Sequence, residues 1–419
     1  MDNAAHESIF RPMKMDCDIA IIGGGLAGGT LALALAHAGF GVTLLDAAPA
    51  ETHRAPDFDG RSYALALTSK RLLTNLGLWD VLGPNSQPMH RIKVTDGRVG
   101  DASVALGLEF DSAELEEGPM GHMVEDRHLR AAMLDALDAA QGIDHRTGTR
   151  VTNQSAAEHG ATLTLEDGLD ITAPLVIAAD GRQSGTARRA GITRTGWDYP
   201  QTALVCAIAH ERDHGGTAHQ LFLPSGPLAI LPLTGNRSSI VWSERRGLAE
   251  DINALSEEDY LTVLRPRFGD FLGEVSLAGA RYSYPLNLTL ADSLTAPRLA
   301  LVGDAAHGVH PIAGQGLNAG LKDVATLADV LSSARRRGED IGAPQVLDRY
   351  ARWRRFDTAS LGLATDLFNR LFSNDSAALR AIRDLGMQAV NAAPGLRRAF
   401  MREAAGLSGE LPELMARER

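Results

Sequence analysis

One stretch near the start of the chain restricts the fold more than any other: CDIAIIGGGLAGGTLALALAHAGFGVTLLDA, residues 17–47. Its apolar run Ile19–Ile22 is typical of a parallel strand that is buried on both faces. Three glycines follow as Gly23-x-Gly25-x-x-Gly28. The first permits a tight turn, the second lets backbone approach a pyrophosphate, and the third lets a helix pack on the strand. The stretch therefore predicts a dinucleotide site at a helix N-terminus.

A second apolar run, Val42–Leu45, ends in Asp46. A carboxylate at the end of the second strand can accept hydrogen bonds from a ribose diol, and it argues against a 2′-phosphate on this nucleotide. A glycine pattern alone is weak evidence. The strand, the helix, the second strand and the terminal acid follow one another in the order that a dinucleotide-binding motif requires. A dinucleotide site is therefore favoured over a merely tight turn.

Length and composition indicate a globular chain of two domains. The 419 residues exceed the usual size of one domain, and 44% hydrophobic with 22% charged residues suits a globular chain. The first residues show no apolar core or small-residue cleavage site, so we expect no signal peptide, and the apolar runs are too short to span a bilayer. Cys17 and Cys206 lie in or beside separate apolar runs, which favours burial over a disulfide. We expect a cytoplasmic protein.

Two later apolar runs also end at acidic residues. The run LVIAA leads to Asp180-Gly181, and the run LALV leads to Gly303-Asp304. Ligands of open α/β sheets bind at the carboxyl ends of the strands, so we expect both acids to point into the same crevice as Gly25. For Asp180 by itself, a role in a turn or as a helix N-cap is the favoured alternative.

The segment HPIAGQGLNAG, residues 310–320, precedes a helical pattern with one apolar face. At the start of that helix, N–H groups of Gly316, Leu317 and Asn318 would point outward and favour negative charge. The small side chains let a flat ring come close, and a reduced flavin carries negative charge around N1 and O2. Pro311 would stiffen the approach. A phosphate-binding or capping loop is the alternative.

Taken together, these motifs resemble a known family. The three glycines, Asp180-Gly181 and Gly303-Asp304 are similar to the three fingerprints of FAD-dependent aromatic hydroxylases of the p-hydroxybenzoate hydroxylase-like superfamily. HPIAGQGLNAGLKD resembles the narrower signature of the ubiquinone-biosynthesis ring hydroxylases. Further similar segments are GRSYALALTSKRLLTNLGLWD, MVEDRHLRAAMLDAL, SGPLAILPL and FMREAAGLSGELPEL.

The resemblance implies roles for individual residues. Asp46 would bind the adenosine ribose, Asp304 would bind the ribityl chain, and Asp180 would lie by the pyrophosphate. Arg61 and Arg127 would contact the FAD, although surface arginines are common. The other implied cofactor contacts are Gly23, Gly25, Gly28, Gly181, Gly303, Gly316, Leu317 and Asn318, with Pro311, Gly314 and Gln315 facing the flavin.

One position departs from the family pattern. An arginine often found three residues after the serine that follows Asp180-Gly181 is Ala187 here, and Arg188 comes one residue later. This departure leaves the role of Arg188 open.

The resemblance implies an α/β fold in which a Rossmann-like FAD-binding domain is discontinuous, a β-sheet substrate domain is inserted and a helical tail follows. The expected ranges are 12–80, 105–192 and 285–350 for the FAD-binding domain, 193–284 with part of 81–104 for the substrate domain, and 351–419 for the C-terminal helical region. Leu223, Pro227 and Leu231 could line the substrate pocket, but sheet core is the favoured interpretation for each.

The same resemblance implies the chemistry. NADH or NADPH would reduce FAD at the FAD site, since no second glycine-rich strand-turn-helix is present. O2 would add at flavin C4a, and the hydroperoxide would hydroxylate the ring of a polyprenylphenol, a lipophilic aromatic intermediate of ubiquinone biosynthesis. Alternatives are a hydroxylase of soluble aromatics and a non-catalytic assembly subunit. His307, His310 and Asp304 match no standard metal spacing, and we interpret the histidines as loop residues, with His310 near the flavin.

The charge distribution adds one hypothesis. Residues 349–402 hold ten arginines and four aspartates in a chain whose net charge is −11. Apolar residues within 361–385 recur at helical spacing. This region could dock on the inner membrane or on a partner complex, or its helices could pack on the FAD-binding domain with solvated arginines. The acidic total argues against nucleic acid binding.

Overall fold

The structure, a computed structural model, describes residues 15–53, 58–96, 107–308, 315–355 and 390–418. Several sequence predictions lie outside this part of the chain: those for His310, Pro311 and Gly314, and the amphipathic helices within 361–385. Gln315 is described only as the first residue of its helix.

The glycine-rich stretch lies at the centre of a six-stranded sheet. In spatial order its strands are β19 (Thr295–Ala296), β20 (Leu299–Leu301), β12 (Leu175–Ala178), β1 (Ile19–Ile22), β2 (Val42–Leu45) and β8 (Ile143–Arg146). All neighbours are parallel except β19 and β20. The predicted strands Ile19–Ile22 and Val42–Leu45 are thus present with the expected bounds. Because the strands are parallel, the motifs that follow β1, β2, β12 and β20 share one edge.

Alternate residues of this sheet pack into two separate cores. Ile21 and Ile177 face helices on one side, whereas Ala20 and Val176 face a small antiparallel sheet on the other. The helices of the first side are α1 (Leu26–His37), α2 (Leu67–Asn75), α3 (Trp79–Leu82), α4 (Asp126–Ala139), α8 (Gln315–Arg336) and a helix over residues 344–355. The small sheet comprises β9 (Val151–Ala156), β10 (Ala161–Leu165) and β11 (Asp170–Ala173).

A nine-stranded sheet forms the second large layer. Its strands are β21 (His307–Gly308), β18 (Tyr282–Ala291), β13 (Arg194–His210), β16 (Arg237–Arg245), β15 (Gly226–Leu233), β14 (Thr217–Leu223), β5 (Arg91–Asp96) and β6 (Leu108–Asp111), with β17 (Val275–Leu277) beside β13. Helices α6 (Arg246–Asn253) and α7 (Glu257–Leu264) cover one face over a core that includes Trp242 and Tyr260. Strands from three distant parts of the chain thus form one sheet.

A third antiparallel sheet lies between the two layers. It consists of β3 (Ser62–Ala66), β7 (Gly121–Glu125) and β4 (Ser86–Met89). Its residue Met123 packs against Ala207 and Leu233 of the nine-stranded sheet, and Val124 packs into the helical core. Strand β7 therefore joins the two layers.

The predicted α/β fold is confirmed. The division into domains stays a prediction, and strand β18 crosses the boundary expected at residue 285. The remaining helices are α5 (Gly185–Arg189), Pro394–Ala404 and Glu413–Ala416. Across the described ranges, every helix falls short of the length or apolar character needed to cross a membrane.

Candidate functional site

The three motif glycines differ in what surrounds them. Gly23 has φ +109°, and a Cβ added to it would lie 2.4 Å from the carbonyl oxygen of Ala179. A Cβ on Gly28 would lie 1.9 Å from the carbonyl oxygen of Gly23. Gly25 is the N-cap of α1, and an added Cβ there would meet nothing within 4 Å. Packing therefore requires glycine at positions 23 and 28. Gly25 instead leaves open space at the helix N-terminus, as a bound pyrophosphate requires.

Asp46 lies beside this turn. It follows β2, it is only 8% exposed, and its Oδ1 accepts a hydrogen bond of 2.9 Å from the N–H of Ala48. A Cβ on Gly24 would come within 2.4 Å of its Oδ2. The carboxylate is thus positioned next to the glycine turn, which fits a ribose held at the end of the second strand.

Asp180 is engaged by the helix that follows it. Its Oδ2 accepts hydrogen bonds from the N–H and the Oγ1 of Thr186, at 3.0 and 2.8 Å, and its Oδ1 accepts one from Ser184 Oγ. Gly181 has φ +78°. The N-cap of α5 is Ser184, and Asp180 is a residue of the preceding turn that accepts from the first turn of the helix. The turn role is thus the part of the favoured alternative that these contacts support, and the pyrophosphate role stays a prediction. The departing position Ala187 is buried in α5.

The two acidic loops meet through an arginine that sequence reasoning missed. Arg182 Nε donates to Asp304 Oδ2 at 2.9 Å, and both side chains are more than 40% exposed. Arg194 donates to the carbonyl oxygen of Asp304 at 3.0 Å. Arg182 directly follows Asp180-Gly181, and this position next to a motif was the only sequence signal that could have pointed to it. The structure brings the two acidic motifs to one edge of the sheet, as predicted.

Asn318 joins the start of α8 to its neighbours. Its Oδ1 accepts hydrogen bonds of 2.8 Å from the N–H of Ala66 and from Ser69 Oγ, and its Nδ2 donates to the carbonyl oxygen of Ala64 at 2.8 Å. The side chain is therefore committed to β3 and α2. A cofactor role for Asn318 would involve its backbone N–H.

The N-terminus of α8 carries the positive end of the helix dipole. The helix starts at Gln315, so the N–H groups of Gly316 and Leu317 lack an acceptor within the helix itself. One turn later, a Cβ on Gly320 would lie 3.2 Å from the Cα of Gly303. The helix end is thus held close to the loop of Asp304.

Arg61 is bound by two carboxylates. Its Nε donates to Asp59 Oδ2 at 2.7 Å, and its Nη2 lies 3.4 Å from Asp126 Oδ2. The hydroxyl of Tyr63 donates to Asp126 Oδ1 at 2.9 Å. Burial, the charge of Asp126 and this hydrogen bond raise the pKa of that hydroxyl well above its ordinary value. The cofactor role of Arg61 stays a prediction.

Arg127 belongs to a cluster that links the layers. Its Nε donates to Glu125 Oε2 at 2.8 Å, and Arg237 of the nine-stranded sheet donates to Glu125 Oε1 at 2.6 Å. Both guanidinium groups lie over the ring of Phe58, at 5.6 and 4.9 Å from its centroid. Glu125 immediately precedes Asp126 in the quoted segment MVEDRHLR, but nothing in the sequence pointed to Arg237.

The three proposed pocket residues lie on different faces of the nine-stranded sheet. Leu223 packs with Trp242 under α6 and α7, which agrees with sheet core as the favoured interpretation. Leu231 is half-buried and packs with the residues that face β7. Pro227, four residues earlier in β15, shares that face because side chains alternate along a strand.

The residues at the sheet edge fit FAD. The edge combines an open glycine turn, a carboxylate after β2, the loop of Asp304 and the N-terminus of α8, and these are the groups that a pyrophosphate, a ribose, a ribityl chain and an anionic ring require. Within the described ranges, no three His, Cys, Asp or Glu side chains are grouped to hold a metal ion.

Comparison with known proteins indicates FAD as the cofactor. The pattern of the FAD binding domain family matches residues 16–359. The chain is 47% identical over 401 residues to ubiquinone hydroxylase UbiL of Rhodospirillum rubrum, covering 95% of this chain and 92% of that protein. It is 36% identical over 392 residues to 3-demethoxyubiquinol 3-hydroxylase of Escherichia coli, covering 93% and 98%.

Solved structures agree at the level of the fold. The crystal structure of p-nitrophenol 4-monooxygenase PnpA from Pseudomonas putida matches with a TM-score of 0.78 at 20% identity, covering 95% of this chain and 100% of that one. From the family pattern and the closely similar relatives together, the chain belongs to the FAD-binding domain family of flavoprotein monooxygenases, in the group that contains the ubiquinone hydroxylases.

Proposed function

We propose that the chain is an FAD-dependent monooxygenase that hydroxylates the aromatic ring of a polyprenylphenol intermediate in ubiquinone biosynthesis. The observation that carries the proposal is the 47% identity, over 95% of the chain, to a relative named as a ubiquinone hydroxylase. One atom of O2 enters a ring C–H bond as a hydroxyl group and the other leaves as water. NADH or NADPH supplies the two electrons.

The cofactor site is assigned to the edge described above. The N-terminus of α1 at Gly25 holds the pyrophosphate, and Asp46 holds the adenosine ribose. Asp304 holds the ribityl chain. When bound, FAD supplies the redox chemistry that activates O2.

The protein's own contribution is electrostatic and steric. The first turn of α8 directs the N–H groups of Gly316 and Leu317 at developing negative charge, which these fixed dipoles stabilise without a side-chain base. The face of the nine-stranded sheet that carries Leu231 and Ala207 is apolar and packs on Met123 of β7, so water is excluded between this sheet and β7.

Purified protein reconstituted with FAD tests the proposal. It is incubated with 18O2, NADH or NADPH, and a polyprenylphenol, with the same phenol lacking the prenyl chain as the matched control. We expect one 18O atom in the ring of the prenylated product and much slower turnover of the control. Equal turnover of both phenols would indicate a hydroxylase of soluble aromatics, and the absence of labelled product would indicate a non-catalytic subunit.

We further propose that the C-terminal region docks on an anionic membrane surface, where a lipophilic substrate is available. The helix Pro394–Ala404 supports this, because Leu396 and Phe400 lie one turn apart on one face and are 46% and 42% exposed. The positive charge comes from residues 349–402, which hold ten arginines and four aspartates. Flotation with anionic and neutral liposomes tests it. We expect recovery with anionic liposomes only, and loss of recovery for Leu396→Ser/Phe400→Ser. Unchanged recovery of this variant would contradict the proposal.

A further inference from the structure

A buried ionic cluster lies directly behind the loop that carries Asp304. Asp323 of α8 is its centre: its Oδ2 accepts hydrogen bonds from the N–H of Gly303 at 2.9 Å and from His307 Nε2 at 2.6 Å. Its Oδ1 accepts a hydrogen bond from Arg354 Nε at 2.6 Å. The three side chains are at most 2% exposed. His307, interpreted from sequence as a loop residue, thus lies in β21 and bonds to α8.

The cluster contains a true buried charge. Burial alone raises the pKa of the Asp323 carboxyl, but the charges and hydrogen bonds of His307 and Arg354 outweigh burial and hold that pKa below its ordinary value. Asp323 is therefore ionised at neutral pH. Buried ion pairs contribute little net stability compared with apolar residues of the same shape, because of the cost of removing both charges from water. Stability alone therefore gives a weak reason for this arrangement.

The cluster instead determines the geometry of one turn. Gly303 has φ +61°, a conformation that side-chain-bearing residues rarely adopt, and Gly320 of α8 packs within 3.2 Å of it, measured from an added Cβ. The hydroxyl of Tyr350 donates to the carbonyl oxygen of Leu301 at 2.7 Å. Two helices, α8 and the helix over residues 344–355, therefore hold the residues that lead into Asp304.

We propose that Asp323 is a positioning residue for the cofactor, which fixes the turn at Gly303 so that the Asp304 carboxylate is presented at the sheet edge. His307 and Arg354 act through Asp323: the first holds the residues after Asp304, and the second connects the turn to the 344–355 helix. This inference rests on the proposed role of Asp304 in binding FAD, and it does not depend on which ring is hydroxylated.

Two substitutions of His307 distinguish loss of its hydrogen bond to Asp323 from loss of the imidazole ring. Its Nε2 makes the bond to Asp323, whereas its Nδ1 is buried with no partner among the described residues. In His307→Gln the amide nitrogen can occupy the Nε2 position and donate to Asp323, and in His307→Leu it cannot. Asp329→Asn is the matched control, because Asp329 lies on the same helix and accepts from the N–H of Glu413 at 2.7 Å, remote from the turn.

The test is FAD affinity, measured by fluorescence titration of the apoproteins, together with the visible spectrum of the bound flavin and the melting temperature of each apoprotein. We expect His307→Leu to raise the Kd for FAD at least tenfold and to shift the flavin absorption band. His307→Gln is expected within threefold of the wild type, and Asp329→Asn within twofold. Hydroxylation is not measured, so a failure of the ring-hydroxylation proposal is seen separately.

Two results would overturn the inference: a folded His307→Leu protein with wild-type Kd and spectrum, or His307→Gln binding FAD as poorly as His307→Leu. If His307→Leu does not fold, Asp323→Leu/Arg354→Met carries the test. That variant removes the charges of Asp323 and Arg354 together, so neither is left buried opposite the other's vacant position. A Kd raised at least tenfold in the folded double variant supports the inference, and a wild-type Kd rejects it.

Discussion

At the scale of single residues, Gly25 and Gly28 belong to one motif but restrict the chain for different reasons. An added Cβ on Gly28 would collide with the backbone of Gly23, whereas one on Gly25 would enter open space. The first restriction acts on folding, and the second acts on what can bind. Substitution by alanine separates the two effects.

We expect Gly28→Ala to lower the free energy of unfolding by about 1–3 kcal/mol, because one methyl group is forced into a packed site. Gly25→Ala should leave the melting temperature of the apoprotein nearly unchanged and raise the Kd for FAD at least tenfold, because its methyl group occupies the space assigned to the pyrophosphate. Calorimetry of the apoproteins and flavin fluorescence titration measure the two quantities. Wild-type FAD affinity in Gly25→Ala would place the pyrophosphate elsewhere.

Asp304→Ala should abolish retention of FAD through purification, because the residue assigned to the ribityl chain loses its carboxylate. The ratio of flavin absorbance to protein absorbance measures retention. Asp251→Ala, at an exposed position on α6, is the control and should purify with the wild-type ratio. A fully yellow Asp304→Ala protein would exclude the assigned role.

At the scale of elements, the last described residues secure helix α2. Asn75 Nδ2 donates to the carbonyl oxygens of Leu414 and Arg417 at 2.8 and 2.9 Å, and Met415 is 1% exposed in the main core. Helix α2 in turn carries Ser69, which donates to Asn318 at the start of α8. The C-terminal segment thus supports the candidate site through two helices.

Met415→Ala is expected to lower the free energy of unfolding by about 2–5 kcal/mol, the cost of a cavity at a buried methionine. Chemical denaturation followed by circular dichroism measures it. Glu410→Ala, at an exposed position nearby, should change the value by less than about 0.5 kcal/mol. A small effect of Met415→Ala would mean that the segment is not part of the cooperative core.

The central elements were predictable because their signals are local. The strands Ile19–Ile22 and Val42–Leu45 are apolar runs between turn residues, and each was found with the expected bounds. The salt bridge from Arg237 to Glu125 was not predictable, since it joins residues 112 positions apart. Likewise, Asp323 lies inside the quoted signature, but its partner Arg354 comes from a different helix. Patterns along a chain indicate which face of a helix or strand is buried and where that element ends. They do not identify side-chain partners that are distant in sequence, because only the assembled fold brings those partners together.

At the scale of the whole molecule, two half-buried histidines make the fold sensitive to acid. Burial lowers the pKa of His122 and of His219 from 6.5 to about 4, with neighbouring cations as the second cause. Between these pH values the unfolded chain takes up protons that the folded chain does not. The stability is therefore fully present above pH 6.5 and is lost as the pH falls toward 4.

The wild-type protein should lose on the order of 2 kcal/mol per histidine between about pH 7 and pH 4.5. His122→Phe can keep an aromatic ring against Trp79. Its loss of unfolding free energy should be smaller than that of the wild type by about 2 kcal/mol, the contribution of one histidine. Urea denaturation at both pH values measures the difference. An identical loss in the variant would assign the acid sensitivity to other groups.

One consequence of the sheet order concerns protein synthesis. Strand β1 lies in the first 22 residues, but the sheet around it also requires β12 and β20, and the core over it includes Met415. At about 5–20 residues per second, a ribosome needs roughly 15–60 s to pass from the first strand to the β20 region. During that interval β1 can pair with β2, but its other neighbour β12, and β20 beyond it, are completed only later. We therefore expect the nascent chain to depend on chaperones until almost all of it has been made, and FAD to bind only after release.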